Sequence, residues 1–423
     1  MSAHICIFED INHTRLFPLV YFRPVYNLKC GIVSLKEKIL REYAGVPSTI
    51  HCRTYLADYM RLRNPGVHVN EIPAKSCLFI NGRIIADENL AKKIPLEGPL
   101  DTVYMKGDQI VAARVSGAKF RALKNHLNSI YSFSDFNELD RKEIDVTLVN
   151  YPWDLVGHNG EELRRDFKIL TKGKSKKKSR GKIYPGSHFL NKAQIFIDEG
   201  TVIKPGCTID AEEGPVYVGK NVTIMPHATI VGPAYIGDGS IIRIGARIYE
   251  DTSIGPVCKV GGEVEASIIH GYSNKQHDGF IGHSYVGTWV NLGADTNNSD
   301  LKNNYGPVKV YINGDLVDSG TQFVGLTIGD HSKAAINSMF NTGTVVGVSS
   351  NIFGYGFPPK YVPSFSWGAA GETFTTYNVD RAIDVARRVM VRRKMSLTEV
   401  EEKLFRKIFD LTVEERKKRG MPS

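Results

Sequence analysis

No stretch of this 423-residue chain approaches the ~18 consecutive apolar residues that a membrane-crossing helix requires. Its opening, MSAHICIFED, lacks the basic start and apolar core of a secretory signal. Disulfide chemistry is also poorly provided for. The six cysteines (Cys6, Cys30, Cys52, Cys77, Cys207 and Cys258) lie far apart, with no CxxC pair. Scattered thiols in a long chain argue against a disulfide framework or a structural zinc site, and for a reducing compartment. A cytoplasmic protein is expected, without membrane insertion and without a bound metal. With 42% apolar residues the chain can bury a substantial core, divided among two or three domains.

Acidic charge is scarce in two places only. Lys172–Lys182 carries seven cations and no anion, and the tail from Asn378 carries thirteen cations against eight anions. These account for more than the whole net charge of +9, so the remaining body is slightly acidic. A basic excess confined to a tether and a helical tail is the pattern of solvated segments, and nucleic-acid binding is not expected.

What the chain does have is a period. Val218, Ile224, Ile230, Ile236, Ile242, Ile248, Ile254 and Val260 recur every six residues. Four residues after each stands a second series: Val222, Ala228, Ala234, Ser240, Ala246, Thr252, Cys258 and Val264. A helix of 3.6 residues per turn cannot keep a six-residue stripe on one side. A coil with flat, six-residue faces can, with the aliphatic residue inward and the second residue turning the corner. The frame extends back to Ile197, Ile203 and Ile209, across a three-residue insertion near Glu212-Glu213-Gly214. It resumes at Phe280, Val286 and Leu292, and again at Ile328, Ala334, Phe340, Val346 and Ile352. Two interruptions, 265–279 and about 297–307, are expected as loops pushed out of the prism. In solenoids such insertions build binding faces.

Before the repeat, strands alternate with helices. Ile5–Phe8, Thr49–Cys52 and Cys77–Ile80 read as strands, and Thr102–Met105 with Gln109–Val115 as a hairpin around Gly107-Asp108. Ser34-Leu-Lys-Glu37 is a capping box that opens a helix. This order predicts a mostly parallel sheet, with its ligand site beyond the strand carboxyl ends, at the loop after Phe8. After the repeat, Asn378 is expected to cap one helix and Ser396-Leu-Thr-Glu399 a second, striped by Val400, Leu404 and Ile408.

The loop after Phe8 reads EDINHTRLFPLVYFRPVYNL. Its TRLFPL and following RP resemble the opening signature of sugar-nucleotide pyrophosphorylases, which are Rossmann-like nucleotidyltransferases. The resemblance implies Arg15, Arg23 and Lys29 as nucleotide phosphate contacts. It also implies Mg2+ accompanying UTP, with Asp108 a candidate ligand. Two family features are missing: the segment FEDINH has no glycine loop, and Val25 stands where a lysine follows Arg-Pro.

The second resemblance starts in the first interruption, EASIIHGYSNKQHDG, and continues through FIGHSYVGTWVNLGADT. FIG-x-x-x-VG-x-x-VNLGA-x-T is similar to the acetyltransferase half of the bifunctional GlmU family. That family acetylates glucosamine-1-phosphate from acetyl-CoA and then transfers a uridylyl group, giving UDP-N-acetylglucosamine. The resemblance implies a left-handed winding, homotrimers with sites between subunits, and His277 as the general base. A histidine titrating near neutrality suits the removal of a proton from an attacking amine. It further implies sugar contacts at Asn291, Asn304 and Tyr305, with phosphate held by Arg243, Lys259 or Arg247. Ser319 and Ser338, expected on later coils, would face the CoA arm. The family lysine that follows VE has no counterpart, since Ser267 or Ile268 stands there.

The expected organisation is therefore an α/β Rossmann-like nucleotidyltransferase domain over 1–170 and a basic linker over 171–184. A left-handed parallel β-helix of hexapeptide repeats covers 185–370, and a helical tail 371–423. Three alternatives remain: a nucleotidyltransferase whose β-helix only oligomerises, a non-catalytic sugar-nucleotide-binding scaffold, and a carbonic-anhydrase-like zinc site between prisms that draws on His270, His277 and His283.

Overall fold

The computed structural model describes residues 4–125, 127, 130–173, 181–370 and 373–421. Much of the basic run at 172–182 thus lies outside the described residues. The N-terminal sheet has seven strands, in the order His68–Val69, Ser48–Ile50, Ile5–Phe8, Ser76–Asn81, Gln109–Ser116, Thr102–Lys106 and Asp140–Glu143. The first four are mutually parallel, and Gln109–Ser116 runs antiparallel to both of its neighbours. The Ser34 box forms as expected. Glu37 N–H donates to Ser34 Oγ, and the Glu37 carboxylate accepts from Ser34 N at 2.7 Å, opening the helix Leu35–Glu42.

From Lys182 the chain winds as a left-handed parallel β-helix with three faces. The first face runs from Lys182–Ile183 to Ser366–Ala370, and the second from His188–Leu190 to Phe280–Gly282. The third runs from Ile195–Ile197 to Tyr361–Val362. The hexad aliphatics Val218, Ile224, Ile230, Ile236, Ile242, Ile248, Ile254 and Val260 all point inward and are fully or almost fully buried. Glu212-Glu213-Gly214 is absorbed in a wider coil, which sets Ile197 opposite Val218.

Four readings need correction here. Segment 265–279 is not pushed out. It forms a complete coil, with Ile268–Gly271 on the third face and Asn274–Lys275 on the first. The period is lost because this coil is short: Ile269 pairs with Ile254 and Lys275 with Val260, each fifteen residues on. Val264 is consequently an inward residue paired with Ile248, not a corner residue. Ile281, rather than Phe280, pairs with Val264 and fills the core. The loop that does leave the prism is longer than 297–307. It runs from Ser299 to Leu326 and contains an antiparallel hairpin, Lys309–Ile312 with Asp315–Asp318.

The tail helices are Val379–Val391, capped by Asn378, and Glu399–Leu411. The second box uses Thr398 and Glu401 rather than Ser396 and Glu399. One hydrophobic core spans all three parts. Ile5, Tyr21 and Phe22 of the front domain share it with Val348 and Phe365 of the last coils and with Ile383, Leu404, Phe405 and Ile408 of the tail. Burying each such side chain is worth roughly 1.5–3 kcal/mol, so the front domain is fastened to the prism and does not merely trail from it. None of the helices among the described residues is long and apolar enough to cross a membrane.

Candidate functional site at a prism edge

Parallel stacking puts equivalent residues of successive coils directly above one another. On the outer side of the first face this aligns Ile241, Lys259, Asn274, Asn291 and Lys333 in register. Asn274 Nδ2 donates weakly to Asn291 Oδ1 at 3.4 Å. His277 lies at the corner where this face turns into the second, and it is exposed. Arg243 stands at the same corner on an earlier coil. A Cβ on Gly261 would meet the Arg243 Cβ at 3.0 Å and the Gln276 carbonyl at 2.5 Å. Four of the expected site residues, Arg243, Lys259, His277 and Asn291, thus share one edge.

Lys275 was not anticipated. It takes the inward place that Ile242 and Val260 hold on the coils below and is 2% exposed. Its ammonium curls toward the His277 corner, donating to the Gly261 carbonyl at 3.0 Å and the His277 carbonyl at 2.9 Å. Burial pushes its pKa down to about 8, while the Asp278 and Asp295 carboxylates oppose that shift. A buried ammonium satisfied by backbone carbonyls fixes the turn that carries His277. A lysine at an aliphatic place of the repeat was the available signal, but the short coil hid the frame.

The tail supplies a second group. Arg393, just past the helix Val379–Val391, donates from Nη2 to Asn274 Oδ1 at 2.9 Å. Burial lowers the Lys259 pKa, and Arg393, Arg392 and Arg243 lower it further by repulsion.

Other expected residues lie elsewhere. Asn304 and Tyr305 sit in the extruded loop. Tyr305 is 65% exposed, and its carbonyl accepts from Gln322 Nε2 at 2.8 Å. Ser319 is not on a coil: it closes the extruded hairpin, where its N–H donates to the Val308 carbonyl. Ser338 is on a coil but turned inward, and its hydroxyl donates to the Ala335 carbonyl at 2.9 Å.

In the front domain the crevice after Phe8 is occupied by side chains of this chain. Glu9 accepts from Val25 N and from the Arg53 guanidinium, and Asp10 is held by Arg83 and Asn81. A Cβ on Gly82 would meet the Tyr26 ring at 2.8 Å. Arg23 points away from this crevice into the prism, bonding Thr288 and Asp330. Lys29 Nζ reaches the Ile32 carbonyl at 3.3 Å, and Arg15 lies over the Tyr151 ring. Asp108 is exposed at its hairpin tip. Three nucleotide contacts expected from the signature are thereby engaged within the chain.

Within one chain the three histidines do not come together. His270 Nε2 donates to the Asn27 carbonyl at the domain seam, where burial holds its pKa well below the usual range. His283 pairs with Asp300 at 2.8 Å and stacks on Phe323. Among the described residues no group of three His, Cys, Asp or Glu side chains is placed to hold a metal ion.

Comparison with known proteins adds two family matches. Residues 5–175 match the family described as sugar nucleotidyl transferase, and residues 215–249 match the bacterial transferase hexapeptide repeats. The bifunctional protein GlmU of Methanococcus aeolicus is 31% identical over 202 residues, 48% of this chain and 42% of that protein. Its namesake in Acaryochloris marina is 27% identical over 207 residues, 48% and 36% of the two chains. This chain thus spans less than half the length of these curated relatives. Among solved structures, a UDP-N-acetylglucosamine acyltransferase of Francisella novicida is 15% identical, with a TM-score of 0.27, over 57% of this chain and 86% of that one.

Proposed function

We propose that the prism edge of this chain, which carries a sugar nucleotidyl transferase match ahead of hexapeptide repeats and is similar to GlmU proteins over 48% of its length, N-acetylates an amino-sugar phosphate. The substrate is glucosamine-1-phosphate and the donor acetyl-CoA. The observation that carries this reading is the shared edge of His277, Asn291, Lys259 and Arg243, one base and one amide beside two cations. His277 accepts a proton from the amine as nitrogen attacks the thioester carbonyl. A C–N bond forms, the C–S bond breaks, and the thiol leaves with a proton. Holding both substrates at one edge supplies much of the acceleration, because the bimolecular encounter becomes a local one. Arg243 and Lys259 hold the sugar phosphate, and Asn291 contacts the sugar.

Homotrimers are proposed as the working assembly. Tyr305 and Asn304 lie in a loop extruded from the side of the prism away from the His277 corner, so they would serve a neighbour's site rather than their own. Uridylyl transfer at the front domain is the second reading, favoured by the match of residues 5–175. The ion pairs that fill its crevice favour an anchoring role instead. One sequential assay tests both. Purified protein with acetyl-CoA and glucosamine-1-phosphate should release free thiol, and its absence would sink the acetylation. Adding UTP and Mg2+ should release pyrophosphate only if the front domain turns over.

A further inference from the structure

The tail helix Val379–Val391 ends against the first face of the prism, and its last basic residues meet an unusual neighbourhood. Arg393 bonds Asn274, which stands in register between Lys259 and Asn291. Arg243 lies at the adjoining corner. Among the described residues none of Arg243, Lys259, Arg392 and Arg393 has a carboxylate within 4 Å. Elsewhere on the same tail, Arg387 pairs with Asp384 and Glu402, and Arg406 with Asp380 and Glu402. Arg387 and Arg406 thus find acids on this tail, whereas these four cations gather around Lys259 and Asn274 without one.

Like charges brought together repel, and a partly buried lysine pays for it in its protonation. The Lys259 ammonium is disfavoured by burial first and then by Arg393, Arg392 and Arg243. Such a group is at rest only when an anion joins it. Three guanidinium forks and an ammonium suit a phosphate monoester, whose oxygens accept several charge-assisted bonds at once. The simpler account is that Arg392 and Arg393 merely complement the carbonyls at a helix end. That account leaves unexplained why the helix ends on Lys259 and Asn274 rather than on an acidic coil.

We infer that Arg392 and Arg393 complete a phosphate-monoester pocket with Arg243 and Lys259, so that the chain's own tail forms part of the amino-sugar phosphate site. The pocket deepens the acetyl-transfer reading and rests on it for the identity of the sugar. Its anion binding can be tested without turnover.

The experiment is calorimetric titration of the full chain and of two double variants, R392A/R393A and R392K/R393K. The ligands are inorganic phosphate, glucosamine-1-phosphate, CoA and 3′-dephospho-CoA. Affinity for inorganic phosphate and glucosamine-1-phosphate should fall at least tenfold in the alanine variant and be partly retained in the lysine variant. A loss confined to CoA and absent for 3′-dephospho-CoA would keep the phosphate pocket and assign it to the donor. Unchanged binding of all four ligands by an alanine variant of unaltered melting temperature would overturn the pocket. If wild-type protein binds phosphate through these arginines yet releases no thiol, the acetyl-transfer reading fails and the pocket stands.

Discussion

Arg23 Nη2 lies 2.6 Å from Asp330 Oδ2, with both side chains almost fully buried where the front domain meets the prism. The same guanidinium donates to the Leu19 carbonyl and to Thr288 Oγ1. Asp330 accepts from Thr288 N as well. Removing one partner of a buried pair strands the other charge at a cost of about 3–5 kcal/mol. Arg23→Met should therefore lower the urea midpoint markedly, while Arg15→Met, half-buried over Tyr151 and in no ion pair among the described residues, should shift it by well under ~1 kcal/mol. Equal midpoints for the two variants would remove Arg23 from the seam.

His277 is exposed and its side chain contributes little packing. His277→Ala should cut acetyl transfer by about 10²–10⁴-fold, the usual worth of a positioned acid–base group. Its melting temperature should stay within about one degree of wild type. Thiol release at the wild-type rate would exclude His277 as the base.

Lys275 links stability to pH in a defined direction. Its folded-state pKa of about 8 lies below the ordinary 10.5. Between those values the unfolded chain binds more protons, so this group's contribution to stability rises with pH across that window. Lys275→Met removes that component. The stability difference between wild type and variant should therefore move in favour of wild type from pH 8 to pH 10, read from urea midpoints. A pH-independent difference would contradict the assignment.

Gly262 has φ +68°, a conformation that disfavours any Cβ, and a Cβ there would sit 2.6 Å from Lys275 Nζ and 2.8 Å from the His277 carbonyl. Gly262→Ala should destabilise by more than ~1 kcal/mol and reduce acetyl transfer together with it. Gly245, also at positive φ but with nothing within 4 Å, serves as the control that loses stability and keeps turnover per folded molecule.

Ile244 and Ile336 are 62% and 65% exposed at the corners of the His277 edge. Large apolar residues bared along one edge suit burial against a second copy. Sedimentation should give three chain masses for wild type and a smaller species for Ile244→Glu combined with Ile336→Glu. A monomeric wild type would remove the trimer from the proposal.

The six-residue period made the prism legible because burial enforces it: each inward place must be aliphatic and each coil must keep its length. The capping box at Ser34 and the mostly parallel pairing of the front sheet were legible for similar local reasons. The short coil at 265–279 was not, since losing three residues shifts the frame and a buried lysine takes an aliphatic place. Arg243, His277 and Asn291 were expected from the family pattern and Lys259 as a nearby cation, and the fold brings the four to one edge. Arg392 and Arg393 were out of reach, because nothing local to a basic helix end tells which coil it will meet.

The core shared by front domain, last coils and tail bears on what the peptide connection between the halves is for. Ile383 and Phe405 come from one end of the chain and Ile5 and Tyr21 from the other, so the polypeptide closes on itself like a buckled strap. A backbone cut introduced within the basic run near 172–182 would leave two fragments that travel together through gel filtration. The shared core, rather than the covalent link alone, keeps the assembled body whole.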